Sequence, residues 1–508
     1  MCNICSSPLQ TQHNHSQYMK IPFYSRIMSL SAIQRQSILS LFFTILITII
    51  GFFSTMLFTH ILGKDLMGVY YLFLAYYGIF NMIGDGGFGS AAVKRISEGK
   101  EQNEYLTAYA CLRGLLIVVS TLILLTLSPF FIDLREYNIV LCIIITLAAA
   151  AFGNTITMGV YGLGHVGVKN VGFGISELAR IIIQIGTVLL GYSVYGLIGG
   201  YIAGIVISGI LCIKYFTFRP AKFGFHHIKS LFAYGFWIFL ISTGSIAFSY
   251  ADTIFIGFFM TNGDVGVYRT AFQFTTAAAF ITSAIAPTLT PKISRWSKDN
   301  EWDKIAYPVS RGITFGLILA VPVLFGGIFL ADKLLYYFYG ADFAAGAVAC
   351  CILFAVQIVS VFTTFLGTAL SASDHARQSF YATASAAVIN ILLNCILIPI
   401  LGINGAAVAT LISYSVNAIL IAHFLKRYIT VKIEKRPIIN IIISAAVMGL
   451  FVFIYKLFVP LDNVVLTLIP VCAGAVIYFL LLFKIDRGIR DEIAGMVTTF
   501  GLPWPKWL

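Results

Sequence analysis

Residues 138–161, NIVLCIIITLAAAAFGNTITMGVY, form an apolar run of 24 residues that contains no charged side chain. A helix of about 20 apolar residues crosses the hydrocarbon core of a bilayer. The backbone in that core must satisfy its own hydrogen bonds, and an α-helix does so within a single segment. This stretch therefore predicts a transmembrane helix.

The rest of the chain repeats this pattern. Of the 508 residues, 59% are hydrophobic and only 11% are charged, whereas soluble domains contain about 25% charged residues. Further apolar segments lie at about 37–61, 66–88, 104–131, 171–191, 195–215, 230–260, 266–290, 305–331, 344–371, 378–400, 404–425, 437–459 and 464–483. We therefore expect an all-α, polytopic membrane protein with about 14 transmembrane helices.

The net charge of +12 does not indicate a nucleic-acid partner, because the basic residues are scattered singly between the apolar segments. If the N-terminus is cytoplasmic, most of these residues fall in the even-numbered loops and in the two tails. The odd-numbered loops then contain only Lys64, Arg135 and Lys333. Cytoplasmic loops are enriched in lysine and arginine. The pattern predicts a multi-pass protein of the cell membrane with both termini in the cytoplasm.

Short motifs recur along the chain in the same order. The matched stretches are 68–70 with 266–268 (both GVY), 113–114 with 311–312 (both RG), and 195–200 with 401–406 (YGLIGG and LGINGA). The matches indicate that a six-helix unit has been duplicated. An even number of helices per unit makes the two copies parallel, related by an axis along the membrane normal.

The duplication divides the chain into two lobes with additional ends. The predicted parts are a cytoplasmic tail (1–35), an N-lobe with helices 1–6 (36–225), a C-lobe with helices 7–12 (226–430), helices 13–14 (431–485) and a second cytoplasmic tail (486–508). Two similar bundles that rock against each other can open a central cavity to each side of the membrane in turn. This is the usual logic of secondary transporters.

Three stretches point to a family. Residues 390–410 read NILLNCILIPILGINGAAVAT, residues 250–257 read YADTIFIG, and residues 266–271 read GVYRTA. They resemble signatures of the polysaccharide-transport, Wzx-type branch of the multidrug/oligosaccharidyl-lipid/polysaccharide (MOP) exporter superfamily. The resemblance extends over residues 36–485.

The resemblance implies a flippase for oligosaccharides linked to polyprenyl or dolichyl diphosphate. Such a protein moves the sugar headgroup across the membrane while the lipid tail stays in the bilayer. The expected energy source is a gradient of H⁺ or Na⁺, and no cofactor is expected, since no G-x-x-x-x-G-K-[ST] phosphate loop occurs. The implied partners are the lipid-linked oligosaccharide, membrane lipids and glycan-assembly enzymes, and we expect a monomer.

Arg113 and Arg311 are candidates for contact with the diphosphate. They occupy equivalent positions of the two predicted lobes, and an ionisable residue inside a span usually faces a cavity or a partner. A twofold axis would place the two guanidinium groups on facing walls of a central cavity, where both could bind phosphate. Alternatively, both extend to the cytoplasmic interface.

Polar residues of the fifth and eleventh predicted helices form a second set of candidates. Arg180 follows Glu177 by three residues and Gln184 follows Arg180 by four, so the three share a helix face. They either neutralise one another or line the cavity, with Glu177 offering an ion site. Gln184 corresponds to Asn390 at the offset of 206, and Asn394 lies one turn further. These amides either bind sugar hydroxyls or link helices.

Two acidic residues complete the candidate sites. Asp252 lies well inside the seventh predicted helix, where an acid is costly. We expect it either to bind the coupling ion or to form a salt bridge with Arg269, at the start of the eighth helix. Asp85 ends the second helix beside two glycines. It is a candidate gate residue or a capping group.

A lone C-x-x-C pair, Cys2 and Cys5, precedes His13 and His15. Zinc sites of this kind usually contain a second pair of ligands at a similar spacing. None follows, and we predict no metal site in the chain.

Three other functions compete with the flippase. They are an ion-coupled drug exporter of the same superfamily, a flippase for a peptidoglycan precursor, and a membrane-embedded glycosyltransferase or ligase. The drug exporters usually have twelve helices and lack the final pair. An enzyme would need acidic residues in a large external loop, and a loop such as 331–343, with Asp332 and Asp342, is too short for a catalytic domain. We therefore expect a transporter and no catalytic residues.

Overall fold

The computed structural model describes residues 32–130, 137–373, 375–499 and 504–505. Every regular element in these ranges is a helix, which confirms the predicted all-α class. The predicted N-terminal tail up to residue 31, with Cys2 and Cys5, lies outside the described residues, as does Arg135.

The α-helices follow one another with short connections. They are α1 (Ala32–Asp85), α2 (Phe88–Ser97), α3 (Gln102–Leu127), α4 (Ile139–Gly162), α5 (Val166–Leu189), α6 (Ser193–Ile213), α7 (Phe225–Phe259), α8 (Asn262–Thr275), α9 (Phe280–Lys298), α10 (Trp302–Tyr339), α11 (Ala347–Ala372), α12 (Ala376–Leu401), α13 (Ile403–Leu425), α14 (Lys435–Phe458), α15 (Val464–Ile485) and α16 (Arg487–Thr499). Short 3₁₀ turns at Ser128–Phe130, Thr276–Ala279 and Ala341–Gly346 lie between them.

Twelve helices within the described ranges are long and apolar enough to cross a membrane. Two features explain the difference from the fourteen predicted segments. The first two segments join in α1, which contains a non-helical residue at Gly63 (φ 74°, ψ 179°). The eighth segment is divided into α8, a 3₁₀ turn and α9. The multi-pass architecture is confirmed.

Helices α1 and α8 cross with their backbones in contact at two glycines. A Cβ built on Gly68 would lie 1.7 Å from the carbonyl oxygen of Asn262, and a Cβ on Gly266 would lie 2.0 Å from that of Lys64. Each contact joins a glycine to the residue four positions before the other glycine. Each hypothetical Cβ is also 3.1 Å from the amide nitrogen of the opposite glycine. A local twofold axis would produce this reciprocity, and the duplication itself stays a prediction.

The C-terminal helices pack on the C-lobe. The Tyr478 hydroxyl of α15 donates a hydrogen bond to the carbonyl oxygen of Ile318 in α10 (2.8 Å). Asp486, just before α16, accepts from Asn440 Nδ2 of α14 (2.9 Å) and from the Ile489 amide (3.0 Å). The Asp486 carboxylate therefore caps α16 and ties it to α14.

Candidate functional site

A polar cluster in the N-lobe joins α1, α5 and α6. Arg180 Nη2 lies 2.6 Å from Glu177 Oε2, and Arg180 Nη1 donates to Gln184 Oε1 (3.3 Å). Gln184 Nε2 in turn donates to the Tyr70 hydroxyl (3.0 Å) and to the carbonyl oxygen of Leu197 (2.7 Å). The predicted shared face of α5 is therefore present. The side chains of Arg180 and Glu177 remain 22% and 23% exposed, so the protein does not fully enclose either charge.

Aromatic rings surround this cluster on the α1 side. Phe73 stacks between Tyr70 (6.3 Å between ring centroids) and Tyr77 (6.2 Å). Tyr201 of α6 packs edge-on against Tyr77 at 5.5 Å. The Tyr70 hydroxyl accepts its hydrogen bond from the Gln184 amide in the protein interior. The rings give the cluster a rigid apolar wall.

Arg113 is buried, with 2% of its surface exposed. Its Nη1 lies 2.5 Å from Asp85 Oδ1 and 2.9 Å from the Tyr109 hydroxyl, and Nη2 donates to Asn81 Oδ1 (3.1 Å). Asp85 also accepts from the Gly89 amide (3.3 Å) at the start of α2. The salt bridge therefore joins α3 to the end of α1, and it brings together two predicted residues, Arg113 and Asp85, whose pairing we had not anticipated.

Arg311 has different partners from Arg113. Its Nη1 lies 2.9 Å from Glu434 Oε2, before α14, and its Nη2 lies 2.6 Å from Glu492 Oε2 in α16. The guanidinium group also lies over the Phe315 ring, 5.4 Å from its centroid. The structure does not bring the two arginines together. The contacts of Arg311 favour the alternative of an anchor at one end of the helix bundle.

The second polar cluster lies in the C-lobe around Asp252, which is 6% exposed. The Tyr268 hydroxyl donates to Asp252 Oδ2 (2.6 Å), and the Thr410 hydroxyl donates to the same oxygen (2.5 Å). Asn394 Nδ2 donates to Asp252 Oδ1 (2.7 Å) and to Asn390 Oδ1 (3.1 Å). The two predicted asparagines and Asp252 therefore form one site.

The predicted salt bridge between Asp252 and Arg269 is wrong. Arg269 donates to the carbonyl oxygen of Ser249 (3.4 Å) and lies over the rings of Tyr250 and Phe272, at 5.7 and 5.2 Å from their centroids. Three neutral donors stabilise the buried carboxylate instead, as a buried charge requires. None of the side chains that hydrogen-bond Asp252 in the described part of the chain is cationic, which leaves the negative charge available to an ion.

The chemistry of the Asp252 cluster fits a small cation or a proton. Asn394 Oδ1 is buried and has no hydrogen-bond partner among the described residues. This amide oxygen, the Asp252 carboxylate and the Thr410 hydroxyl are oxygen ligands, which a hard cation prefers. The carboxylate alone can take up a proton. Asp252 thus stays the stronger of the ion-coupling candidates, since Glu177 is already paired with Arg180.

A polar cavity of about 420 Å³ lies among the C-lobe helices, and its lining residue Ser249 is one turn before Asp252 in α7. Its lining is rich in hydroxyl and amide side chains and contains no charged one: Ser245, Ser249, Thr276, Gln357, Ser360, Thr363, Thr364, Ser379, Thr383, Tyr414 and Asn417 with Phe248, Phe272, Gly367 and Ile421. Asn417 Oδ1 is buried without a partner among the described residues. The volume of the cavity falls within the range of about 300–1,000 Å³ that small-molecule sites occupy.

Three residues at these sites escaped sequence reasoning: Tyr70, Tyr268 and Thr410. The repeat contained the signal for two of them, because Tyr70 and Tyr268 end the duplicated Gly-Val-Tyr motif. Each tyrosine hydroxyl reaches the polar cluster of its own lobe. In the predicted duplication, the two tyrosines would occupy equivalent positions and mark equivalent sites.

Comparisons with known proteins agree with this architecture. Residues 57–348 match a family model described as polysaccharide biosynthesis protein. A relative from Haloferax volcanii named probable low-salt glycan biosynthesis flippase Agl15 is 30% identical over 84% of this chain and 90% of its own length. Another from the same organism, named probable flippase AglR, is 24% identical over 81% of this chain and 87% of its own.

A solved structure shows the same fold. The lipid II flippase MurJ, in its inward closed conformation, superposes with a TM-score of 0.73 at 19% identity, covering 90% of this chain and 100% of that one. The family match extends over more than half of the described helices, and the likeness to Agl15 over most of the chain. The chain therefore belongs to the polysaccharide biosynthesis protein family that this model describes.

Proposed function

We propose that this protein flips a lipid-linked oligosaccharide, attached to polyprenyl or dolichyl diphosphate, across the cell membrane by alternating access of its two lobes. The observation on which the proposal rests is the uncharged, hydroxyl-lined cavity of the C-lobe. Side chains with both donors and acceptors match the hydroxyl groups of a sugar. The names of the relatives Agl15 and AglR, both flippases, support a transporter and not an enzyme.

The diphosphate would bind on the N-lobe side. Arg180 is the candidate, because its guanidinium group is held in place by Glu177 and Gln184 yet remains partly exposed. Arginine binds phosphate oxygens with two parallel hydrogen bonds. In this arrangement Arg180 of α5 takes the charged part of the headgroup, while Gln184 positions Arg180 and the C-lobe cavity takes the sugars.

An ion gradient would drive the cycle through Asp252. A cation or proton bound there neutralises a buried charge that now depends on three neutral donors. Tyr268 links this site to the α1–α8 crossing, since it lies two residues after Gly266. Occupancy of Asp252 can therefore alter the contact between the lobes. We further propose cytoplasmic termini, action as a monomer and transfer of the product to glycan-assembly enzymes.

The experiment uses purified protein in proteoliposomes with a fluorescent undecaprenyl- or dolichyl-diphosphate oligosaccharide. Accessibility of the headgroup to an impermeant lectin measures flipping. Replacing Arg180 with glutamine together with Glu177→Gln removes both charges without leaving one unpaired. Loss of a charge-assisted hydrogen bond of about 1.5–3 kcal/mol corresponds to roughly a 10- to 150-fold slower rate.

The matched control is Arg377→Gln, because Arg377 is exposed and donates a hydrogen bond to the Tyr381 hydroxyl of its own helix (2.8 Å). Arg113 and Arg311 are less suitable first targets, since each neutralises carboxylates that a substitution would leave unpaired. Wild-type protein that flips no lipid-linked glycan but exports soluble organic cations would refute the proposal in favour of a drug exporter.

A further inference from the structure

Three potential metal ligands meet at the start of α7, away from both polar clusters. Glu101 lies in the turn before α3, and His226 and His227 lie in the first turn of α7. Glu101 Oε2 is 3.3 Å from His227 Nε2 and 3.7 Å from His226 Nε2. The three ligand atoms all lie within 4.8 Å of one another.

The environment of His227 indicates a ligand independently of this spacing. The side chain is 3% exposed, and its Nε2 atom has no hydrogen-bond partner among the described residues although it faces the Glu101 carboxylate. A buried polar atom without a partner is uncommon and often marks the site of an ion. The ring is held edge-on by Tyr105, at 4.8 Å between centroids, so the Nε2 atom points to a fixed place.

We propose that Glu101, His226 and His227 bind a divalent transition-metal ion such as Zn²⁺. Two imidazoles and a carboxylate are a common set of three protein ligands for zinc, with water at the fourth position. Zinc bonds of about 2.0–2.2 Å with tetrahedral angles place ligand atoms about 3.4 Å apart. The two measured separations from Glu101 bracket this distance, and the exposed side chains of Glu101 and His226 are free to close the remainder.

Metal binding changes the loop before α7. The Gly224 amide now donates a hydrogen bond to His227 Nδ1 (3.0 Å), which places the ring proton on Nε2. A metal ion at Nε2 requires that proton on Nδ1 instead, and the Gly224 bond must then break. Gly224 has an extended backbone and belongs to the connection between the last N-lobe helix and the first C-lobe helix. The ion therefore acts on the segment that joins the lobes.

The site also links the two predicted lobes directly, because Glu101 precedes α3 and the histidines begin α7. Residue Gly235 further along α7 packs on the N-lobe: a Cβ on Gly87 would lie 2.2 Å from its carbonyl oxygen. A bound ion would fasten this end of α7 to the start of α3. If the lobes alternate as proposed, the bound ion slows flipping. This effect on flipping rests on the proposed function, whereas metal binding itself does not depend on it.

The test uses full-length protein purified with a tag that contains no histidine and stripped of metal with a chelator. Calorimetric titration with Zn²⁺ measures stoichiometry and affinity, and titration with Co²⁺ reports tetrahedral coordination by its visible absorption. We expect one ion per chain, and at least tenfold weaker binding in His226→Ala and in Glu101→Gln. His226 is exposed, so the loss in His226→Ala does not depend on the folding of a buried side chain.

Two controls make the outcome decisive. His423→Ala replaces a histidine that contacts Arg427 near the end of α13, and it should leave the affinity unchanged. Cys2→Ser with Cys5→Ser removes the cysteines of the C-x-x-C pair and should also leave one ion bound. Absence of stoichiometric binding in the wild type, or binding that survives His226→Ala but is lost in the cysteine variant, would overturn the assignment. Neither readout involves flipping, so the proposed function can fail separately.

Discussion

Replacing Gly68 with alanine would place a methyl group inside the contact between α1 and α8. The new Cβ would lie 1.7 Å from the Asn262 carbonyl oxygen and 2.5 Å from its carbon. Carbon–oxygen contacts in proteins are about 3.3–3.6 Å, so the helices must separate by roughly 1.6 Å. Both neighbours are backbone atoms, and no side-chain rotation can relieve the overlap.

The cost falls on the state in which the lobes touch at this crossing. Overpacking of a tight contact costs about 1–3 kcal/mol, which corresponds to a change of about 5- to 150-fold in a conformational equilibrium. Lys64, beside the crossing, lies in α1 next to the Gly63 kink, a position that the charge pattern predicts to be outside the cell. The variant should therefore favour the state that is open to the outside.

The assay measures how fast an impermeant maleimide labels a cysteine placed at Val265, which is fully buried on α8. The labelling of the native cysteines is measured in the protein without Val265→Cys and subtracted. The remaining labelling rate of Val265→Cys should rise about 5- to 150-fold when Gly68→Ala is added. Gly114→Ala is the matched control, since a Cβ there meets no atom within 4 Å. Equal labelling in the two alanine variants would refute the inference that this glycine crossing is a gate.

Three further outcomes follow from the same contacts. Asp252→Asn keeps the size of the side chain but removes its charge, so flipping should no longer respond to an imposed Na⁺ or H⁺ gradient in proteoliposomes; an unchanged response would exclude Asp252 as the coupling site. Arg311→Gln should lower the free energy of unfolding by about 1–3 kcal/mol, less than for a fully buried pair because Glu434 and Glu492 are partly exposed. Thermal unfolding of this variant, compared with that of Arg377→Gln, measures the change. Asn417→Leu removes an unpaired amide oxygen from the C-lobe cavity and should slow flipping of a lipid-linked oligosaccharide about 2- to 12-fold. Flipping of a lipid carrier without sugar should not change and serves as the control.

The transmembrane helices could be predicted from the sequence because the bilayer imposes a length and an apolar composition on each span. Residues 138–161 correspond to α4 (Ile139–Gly162) within one residue at either end. The break between the first two apolar segments was predicted, because Lys64 and Asp65 follow Gly63. That the helix resumes directly after Gly63 was less accessible, since the positive φ of 74° at this glycine is a backbone property that apolar patterning does not register.

Partners of charged residues were harder to predict than their positions. Arg269 follows Asp252 by 17 residues and was the nearest cation, yet the structure turns it to Ser249. The donors that do reach Asp252 include Thr410 and Asn394, which lie more than 140 residues away in sequence. Likewise, Arg311 binds Glu492 from a segment that we had treated as a tail. Helical periodicity fixes which face a residue occupies, but not which helix packs there.

The duplicated Gly-Val-Tyr motif explains how two distant polar clusters can respond to one another. In each lobe the glycine touches the opposite lobe, and the tyrosine two residues later hydrogen-bonds a polar cluster of its own lobe: Gln184 for Tyr70, and Asp252 for Tyr268. A change at Asp252 that moves Tyr268 must also move Gly266, which lies two residues before it in α8. The backbone of Gly266 packs so closely against that of α1 that neither helix can shift alone. Since α1 also contains Tyr70, the displacement reaches Gln184 and Arg180. An ion bound in one lobe can thereby change the phosphate-binding candidate in the other through a single helix crossing.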